Sequence, residues 1–582
     1  MTKTLEPVVL PARRVEWTKC PGCGCLVYHK RLARNLHVCP ECDHHLRMSA
    51  RARVELLVDP GSFHEAHFAP AVQDPLGFSD VRDYRGRLTD AAARSFESEA
   101  AIVGSALLAG REAVLAVMEF TFLGGSMGLE VGRRVSEAAE LALQRQTPLI
   151  VVCASGGARM QEGVFSLLQM ARTSVAFARL REAGVLSICV LTDPTYGGVS
   201  ASFANLGSVV IAERGAHVGF AGPRVVQETI RAALPVGFQT AESQLAHGLV
   251  DRVENRADLP QLLVRLMDLH AGRTAHPTDI HLVEQRQSFT LHQAVMPAAD
   301  STNGPVVDHD SWAVVQAARC IDRPTTLDYI RHVFDDFVEL HGDRAHSDDP
   351  AIVGGVARIK GRSVVVIGNQ KGHTVADLVA RNFGMAHPEG YRKAMRLMDH
   401  AETFGLPVVT FVDTPGAHPG PEAEERGQSI AIADAIMRSS RLRVPVVAII
   451  TGEGGSGGAL ALCTSDRLLV LENAFLSVIS PEGCAAILWR SATSAPAAAR
   501  ALQLGARQLL DSGIATSVVP EPPGGAQADP VACAQTLQDC LVGELDELVD
   551  VSPYDLLAGR EQRFSRLGSA APITLLTSDI AG

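Results

Sequence analysis

The sequence predicts an α/β protein of two related Gly-rich halves behind a small four-cysteine metal module. Three observations predict it. Apolar strand-like runs alternate with Ala-rich helical stretches through both halves, the pattern of strands and crossover helices in mostly parallel sheets. Gly-rich turns recur at nearly one offset: Gly110 and Gly361 stand 251 positions apart, whereas Gly156 and Gly416, like Gly197 and Gly457, stand 260 apart. One offset broken by a length change of about ten residues is what duplication followed by a single insertion predicts. Finally, Cys20-x2-Cys23 and Cys39-x2-Cys42 are separated by fifteen residues, the spacing of a zinc ribbon.

Taken in order, residues 16–45 form the ribbon. Two tight knuckles supply four thiolates to a tetrahedral Zn2+, and a module with little core gains its folding free energy from the metal. Four protein ligands close the shell, so the zinc is expected to be structural, one per chain. Residues 50–275 form the first copy, with strand-like AVLAVMEF and PLIVVCAS alternating with helical VSEAAELALQRQ. Residues 276–310 turn polar and are punctuated by Pro, Asn and Gly, which reads as a linker. The second copy spans 311–582. It opens on TLDYIRHVFDDFVEL, where Leu327, Ile330, Phe334, Phe337 and Val338 recur at three- and four-residue steps and predict an amphipathic helix.

Composition excludes several classes. The 582 residues are 46% hydrophobic and 20% charged with mean hydropathy +0.11, which reads as soluble and globular. No apolar run approaches the roughly 20 residues of a membrane span. The first residues lack a continuous signal-type apolar core, and seven cysteines are dispersed without paired spacing, so a reducing cytoplasm is expected. A net charge of −12 excludes a generic polyanion binder. Residues 11–53 alone hold nine Lys/Arg against three acids, a net +6. Nucleic-acid binding as the main function would leave the duplicated Gly-rich units unexplained.

Those turns carry the chemistry. Each follows an apolar strand, and the second pair in each copy precedes Ala/Ser-rich helical sequence, so exposed backbone N–H groups there can hold an anion, and Gly lets a substrate approach them. Gly197 and Gly198, and in the second copy Gly457 and Gly458, are the candidate catalytic positions. Gly156, Gly157 and Gly416 are candidates for substrate binding, and Arg159 for orienting an anionic group because the adjacent turn fixes it. In RNFGMAHPEGYRKAMRLM, Arg392 and Lys393 face either solvent or a phosphorylated ligand. GEGGSGG lacks the Lys-Ser/Thr ending of a Walker loop and the acidic partner of a dinucleotide fold. No Ser-His-Asp set emerges: Ser155 lacks a nucleophile-elbow frame, and His341, His373, His387 and His418 are read as surface or packing residues. Anion holes without a side-chain base point to a reaction whose substrate or cofactor brings its own base.

The long motifs closely resemble the carboxyltransferase component of acetyl-CoA carboxylase. The ribbon, FLGGSMG, ASGGARMQEG, LTDPTYGGVSASFA and GFAGPRVVQETI resemble its β subunit; PEGYRKAMRLM, DTPGAHPG, AEERGQ, GEGGSGGALAL and SVISPEGCAAILW resemble its α subunit. The two are fused in β–α order. The resemblance implies two crotonase-like ββα-spiral domains. It also implies carboxyl transfer from carboxybiotin to acetyl-CoA, giving malonyl-CoA for fatty acid synthesis. Gly197 and Gly198 would then serve the acyl-CoA side, and Gly457 and Gly458 the biotin side, with a biotin nitrogen as the base. Homodimers are implied, each site pairing the β-like half of one chain with the α-like half of the other. No Met-Lys-Met attachment site or ATP-binding segment is present, so a separate biotin carboxyl carrier protein and a separate biotin carboxylase are expected partners. Transfer to propionyl-CoA or another acyl-CoA is the alternative, disfavoured because such single-chain relatives usually lack the ribbon. Two departures stand out: His418 occupies a position that is usually aromatic, and residues 372–381 are less basic than in many relatives.

Overall fold

The computed structural model describes residues 17–68, 73–231, 233–271 and 310–566. Residues 276–309 of the expected linker, and residue 16 of the ribbon, lie outside the described residues. The ribbon is a short hairpin, β1 (Trp17–Lys19) with β2 (Leu26–Tyr28), followed by the short helix His29–Arg34 and a turn that returns the second knuckle to the first.

Each half then builds a sheet of the same strand order. The first has seven strands in spatial order: β3 (His64–Glu65), β4 (Ala101–Leu108), β5 (Arg111–Met118), β6 (Leu149–Ser155), β7 (Ser187–Thr195), β8 (Val209–Glu213) and β9 (Arg252–Glu254). Pairing is antiparallel from β3 to β5 and parallel from β5 to β9. The second has eight strands. β10 (Asp336–Glu339), β11 (Ile352–Ile359), β12 (Arg362–Asn369), β13 (Val408–Thr414), β14 (Val446–Gly455), β15 (Arg467–Leu471) and β17 (Ser517–Val519) run in order, and β16 (Phe475–Ser477) pairs with the end of β14. Each half is thus an antiparallel hairpin continued by parallel strands with helical crossovers, the ββα arrangement that the crotonase-like expectation requires. Residues Val103, Val114 and Val151 face one core layer, and their neighbours Ile102, Leu115 and Val152 face another, so the sheet is covered on both sides.

Backbone geometry corrects the offset between the halves. The β4–β5 hairpin turns through Ala109 and Gly110 (φ 47° and 78°), and β11–β12 turns through Lys360 and Gly361 (φ 44° and 81°), 251 positions on. The next matched turn, Leu123-Gly124-Gly125 (φ 46°, 68°, 64°), recurs at Asn382-Phe383-Gly384 (φ 46°, 56°, 77°), 259 positions on. Strands β6 and β13 and the long helices Leu129–Arg145 and Pro388–Phe404 keep that 259. The insertion is therefore eight residues, in the segment carrying the extra helix Val375–Ala380. Gly416 (φ 151°) matches Gly157 (φ 123°), and Ser456 (φ 53°) matches Gly197 (φ 57°). Counting Gly against Gly gave 260 because Ser456 adopts the left-handed conformation that Gly197 takes in the first copy.

The amphipathic helix opening the second copy is also shorter than its periodicity predicts. It spans Thr326–Val333 under a Thr325/Asp328 capping box, and Phe337 and Val338 belong to β10. The halves pack through helix Gly163–Glu182, buried on almost every side, against Gln428–Ser440. Among the described residues no helix is long and apolar enough to cross a membrane.

Candidate active site

At the end of β6 the chain passes into Gly156-Gly157-Ala158-Arg159. Three of these N–H groups are committed: Gly156 to Gly124 O (2.9 Å), Gly157 to Ser155 Oγ (3.0 Å) and Arg159 to Met127 O (2.9 Å). Beside it, β7 ends and a short helix, Gly197–Ser200, begins; the Gly197 N–H donates to Phe220 O at 2.9 Å. Among the described residues, the N–H groups of Ala158 and Gly198 have no acceptor. They are neighbours, since a Cβ on Gly198 would stand 3.5 Å from Ala158 N and one on Gly157 3.6 Å from Gly198 N. Two unspent donors from two turns can together hold an anionic oxygen, the geometry of a candidate oxyanion hole.

The second half repeats this. After β13 the Gly416 N–H donates to Thr414 Oγ1 (3.1 Å) and His418 N–H to Ala386 O (3.0 Å), leaving Ala417. After β14 the helix Ser456–Cys463 starts, and Gly457 N–H has no acceptor among the described residues. The positive end of this eight-residue helix adds to the attraction for an anion. The donors in each hole are thus one alanine and one glycine. Gly197 and Gly458 shape the hole instead: Gly197 takes a positive φ, and a Cβ on Gly458 would lie 2.4 Å from Ala417 N and 2.8 Å from the Tyr391 hydroxyl. Tyr391 is fully buried, and its hydroxyl has no partner.

Comparison with known proteins identifies the family. The acetyl co-enzyme A carboxylase carboxyltransferase-like family pattern matches residues 291–568, and the acetyl-CoA carboxylase zinc finger domain matches residues 17–42. The chain is 52% identical to the acetyl-coenzyme A carboxylase carboxyl transferase subunits beta/alpha of Saccharopolyspora erythraea over 97% of both chains. It is 40% identical to the protein of that name from Clostridium tetani, over 97% of this chain and 95% of that one. The chain belongs to the acetyl-CoA carboxylase carboxyltransferase family. Among solved structures, transcarboxylase 12S aligns at TM-score 0.34 and 24% identity, covering 85% of this chain and 90% of its own.

Within the carboxyltransferase, the basic residues singled out from sequence are held as props and not presented to either hole. Arg159 is 1% exposed, and its guanidinium binds Glu99 (2.6 Å), Glu162 (3.3 Å) and Ser126 O (2.7 Å). Lys393 is equally buried, against Asp348 (2.5 Å) and Asp349 O (2.9 Å). Arg392 pairs with Asp343 at 3.0 Å and Glu389 at 3.4 Å. A buried guanidinium or ammonium is stable only when paired, and apart from the i,i+3 partners Glu162 and Glu389 these cations went to carboxylates 45–60 positions away that sequence spacing could not reveal.

Sequence reasoning also missed Glu424, from the AEERGQ motif. Its carboxylate accepts the N–H groups of Phe220 (2.8 Å) and Ala221 (2.7 Å) in the other half. Phe220 O in turn fixes Gly197, so a second-half carboxylate sets the first hole. Burial pushes Glu424 up to about 7, against the two N–H bonds and Gln239 that favour its charge. The strap 415–428 therefore touches both holes.

In the ribbon, Sγ atoms of Cys20 and Cys42 lie 3.6 Å apart and those of Cys23 and Cys39 3.8 Å apart, while Cys25 stands outside the set. A Zn–S distance of about 2.3 Å gives tetrahedral edges of about 3.8 Å, so the four thiolates fit a structural zinc. The ribbon docks through buried Arg256, whose Nη1 donates to Leu36 O and Leu46 O (both 2.9 Å) while its other nitrogens bind Glu213. Burial would raise Glu213, but Arg53 and Arg256 hold it at about 2.

Proposed function

We propose that the chain transfers a carboxyl group from carboxybiotin, borne on a separate carrier protein, to acetyl-CoA. The observation that carries this reading is the pair of matched turns, each with two N–H donors that have no acceptor among the described residues. Ala158 and Gly198 hold the thioester oxygen of acetyl-CoA as its methyl group loses a proton, stabilising the enolate that attacks the carboxyl carbon. Ala417 and Gly457 hold the ureido oxygen on the biotin side, favouring release of the carboxyl group. Carboxybiotin supplies the carboxyl group and, once it has left, a ring nitrogen that accepts the methyl proton.

Within one chain the space between the two helix starts is filled. Met170 is 1% exposed, and its Cε would lie 3.1 Å from a Cβ on Gly457 and its Sδ 3.4 Å from one on Gly198. That packing supports a homodimer in which each site joins the first half of one chain to the second half of its partner.

The test is the reverse reaction on zinc-replete protein: malonyl-CoA and a free biotin derivative, following acetyl-CoA release. Biotin-dependent release is expected, and Gly198→Val and Gly457→Val should each lower it at least about a hundredfold by removing one hole. Release that proceeds equally without biotin, or in both variants, would refute the assignment.

A further inference from the structure

The second half carries a side-chain cluster that carboxyl transfer does not use. His387 precedes the helix Pro388–Phe404, and His418 and Glu422 stand four residues apart beside it. One ligand atom from each lies within 4.8 Å of the other two. His418 Nε2 is 2.9 Å from Glu422 Oε1, His387 Nε2 is 3.8 Å from the same oxygen, and the rings overlap with centroids 4.3 Å apart at 37°. His418 and Glu422 are hydrogen-bonded, but this does not account for the whole set: 3.8 Å is too long for a bond from His387, and His418 Nδ1 is buried without a partner.

We propose that His387, His418 and Glu422 form a second cation site, taking a divalent transition metal of the Zn2+ class. A tetrahedral ion with metal–ligand distances of about 2.0–2.1 Å places neighbouring ligand atoms roughly 3.3 Å apart, between the two separations observed. Two imidazoles and one carboxylate select Zn2+-like ions over Mg2+ or Ca2+, which prefer oxygen. The backbone holds the ligands in place: His387 N–H donates to Asp349 (2.8 Å), and His418 N–H donates to Ala386 O (3.0 Å), joining the two segments. The Glu422 side chain is 49% exposed, so an ion can enter from solvent and keep water in its fourth position. On binding, the proton that His418 Nε2 shares with Glu422 moves to Nδ1 and the nitrogen lone pair turns to the metal. The ion would then lie one residue from the Ala417 donor of the second hole.

The experiment is a Co2+ titration of the full-length, zinc-loaded chain, read by visible absorption and calorimetry. One further equivalent per chain is expected, with the d–d spectrum of nitrogen and oxygen ligands. Thiolate charge-transfer bands would instead report exchange into the ribbon. His418→Phe, which keeps an aromatic ring but removes both nitrogens, and Glu422→Gln should each weaken binding about tenfold or more. Because Glu422 is half exposed, its variant retains the fold even if the histidine variant does not. No Co2+ uptake beyond the ribbon, or unchanged affinity in Glu422→Gln, would overturn the proposal.

Discussion

Gly457 and Gly458 are adjacent and alike in sequence, yet they meet different surroundings. A Cβ on Gly457 meets Met170 Cε at 3.1 Å, the end of a flexible side chain that can yield. A Cβ on Gly458 meets Ala417 N at 2.4 Å, and backbone cannot yield without moving the donor itself. Gly457→Ala should therefore keep most of its stability, whereas Gly458→Ala should lose about 1–3 kcal/mol and most of its activity. Denaturant unfolding with the malonyl-CoA assay checks both; equal behaviour would contradict the geometry. Glu424 gives a pH prediction. Its folded pKa of about 7 exceeds the ordinary glutamate value of 4.5, so the folded state holds this proton more tightly than the unfolded one. The stability it contributes is complete below pH 4.5 and is lost as pH rises through about 7. Glu424→Gln should flatten that part of the melting-temperature profile, and an unchanged slope would place the titration elsewhere.

Among the structural elements, the ribbon is positioned by one side chain outside it. Arg256 reaches carbonyls on both sides of the second knuckle and is anchored by Glu213 on β8. Arg256→Met removes those bonds and leaves Arg53 alone on Glu213, a loss on the order of 3–5 kcal/mol for a broken buried pair. Zinc should stay bound, because the four cysteines are untouched, while amide exchange over residues 36–46 speeds up. Cys20→Ala should instead release the zinc itself, measurable by metal content after dialysis. If Arg256→Met released zinc as readily as Cys20→Ala, docking and metal binding would be one event.

For the molecule as a whole, the proposed homodimer with shared sites makes a complementation prediction. Under that arrangement, co-expressed Gly198→Val and Gly457→Val chains should form mixed dimers in which one site inherits both defects and the other inherits none. About a quarter of wild-type specific activity should return in the mixture, although each variant alone is inactive. Sites confined to single chains would return nothing.

Sequence alone determined the two-half α/β plan and the ribbon, and it pointed to the turns that carry the two proposed holes. Strand alternation, the C-x2-C knuckles and glycine at tight turns are local requirements, written where they act. It named glycines as donors because glycine is the visible trace of a close approach; the N–H groups of Ala158 and Ala417 leave no such trace. Tertiary structure decided which donors stay unspent, where the eight-residue insertion sits, and that Arg159, Arg392 and Lys393 are neutralised by carboxylates. It also brought Glu424 to the opposite half, 203 positions from Ala221. Such pairings depend on which residues folding brings together, and spacing along a chain does not record them.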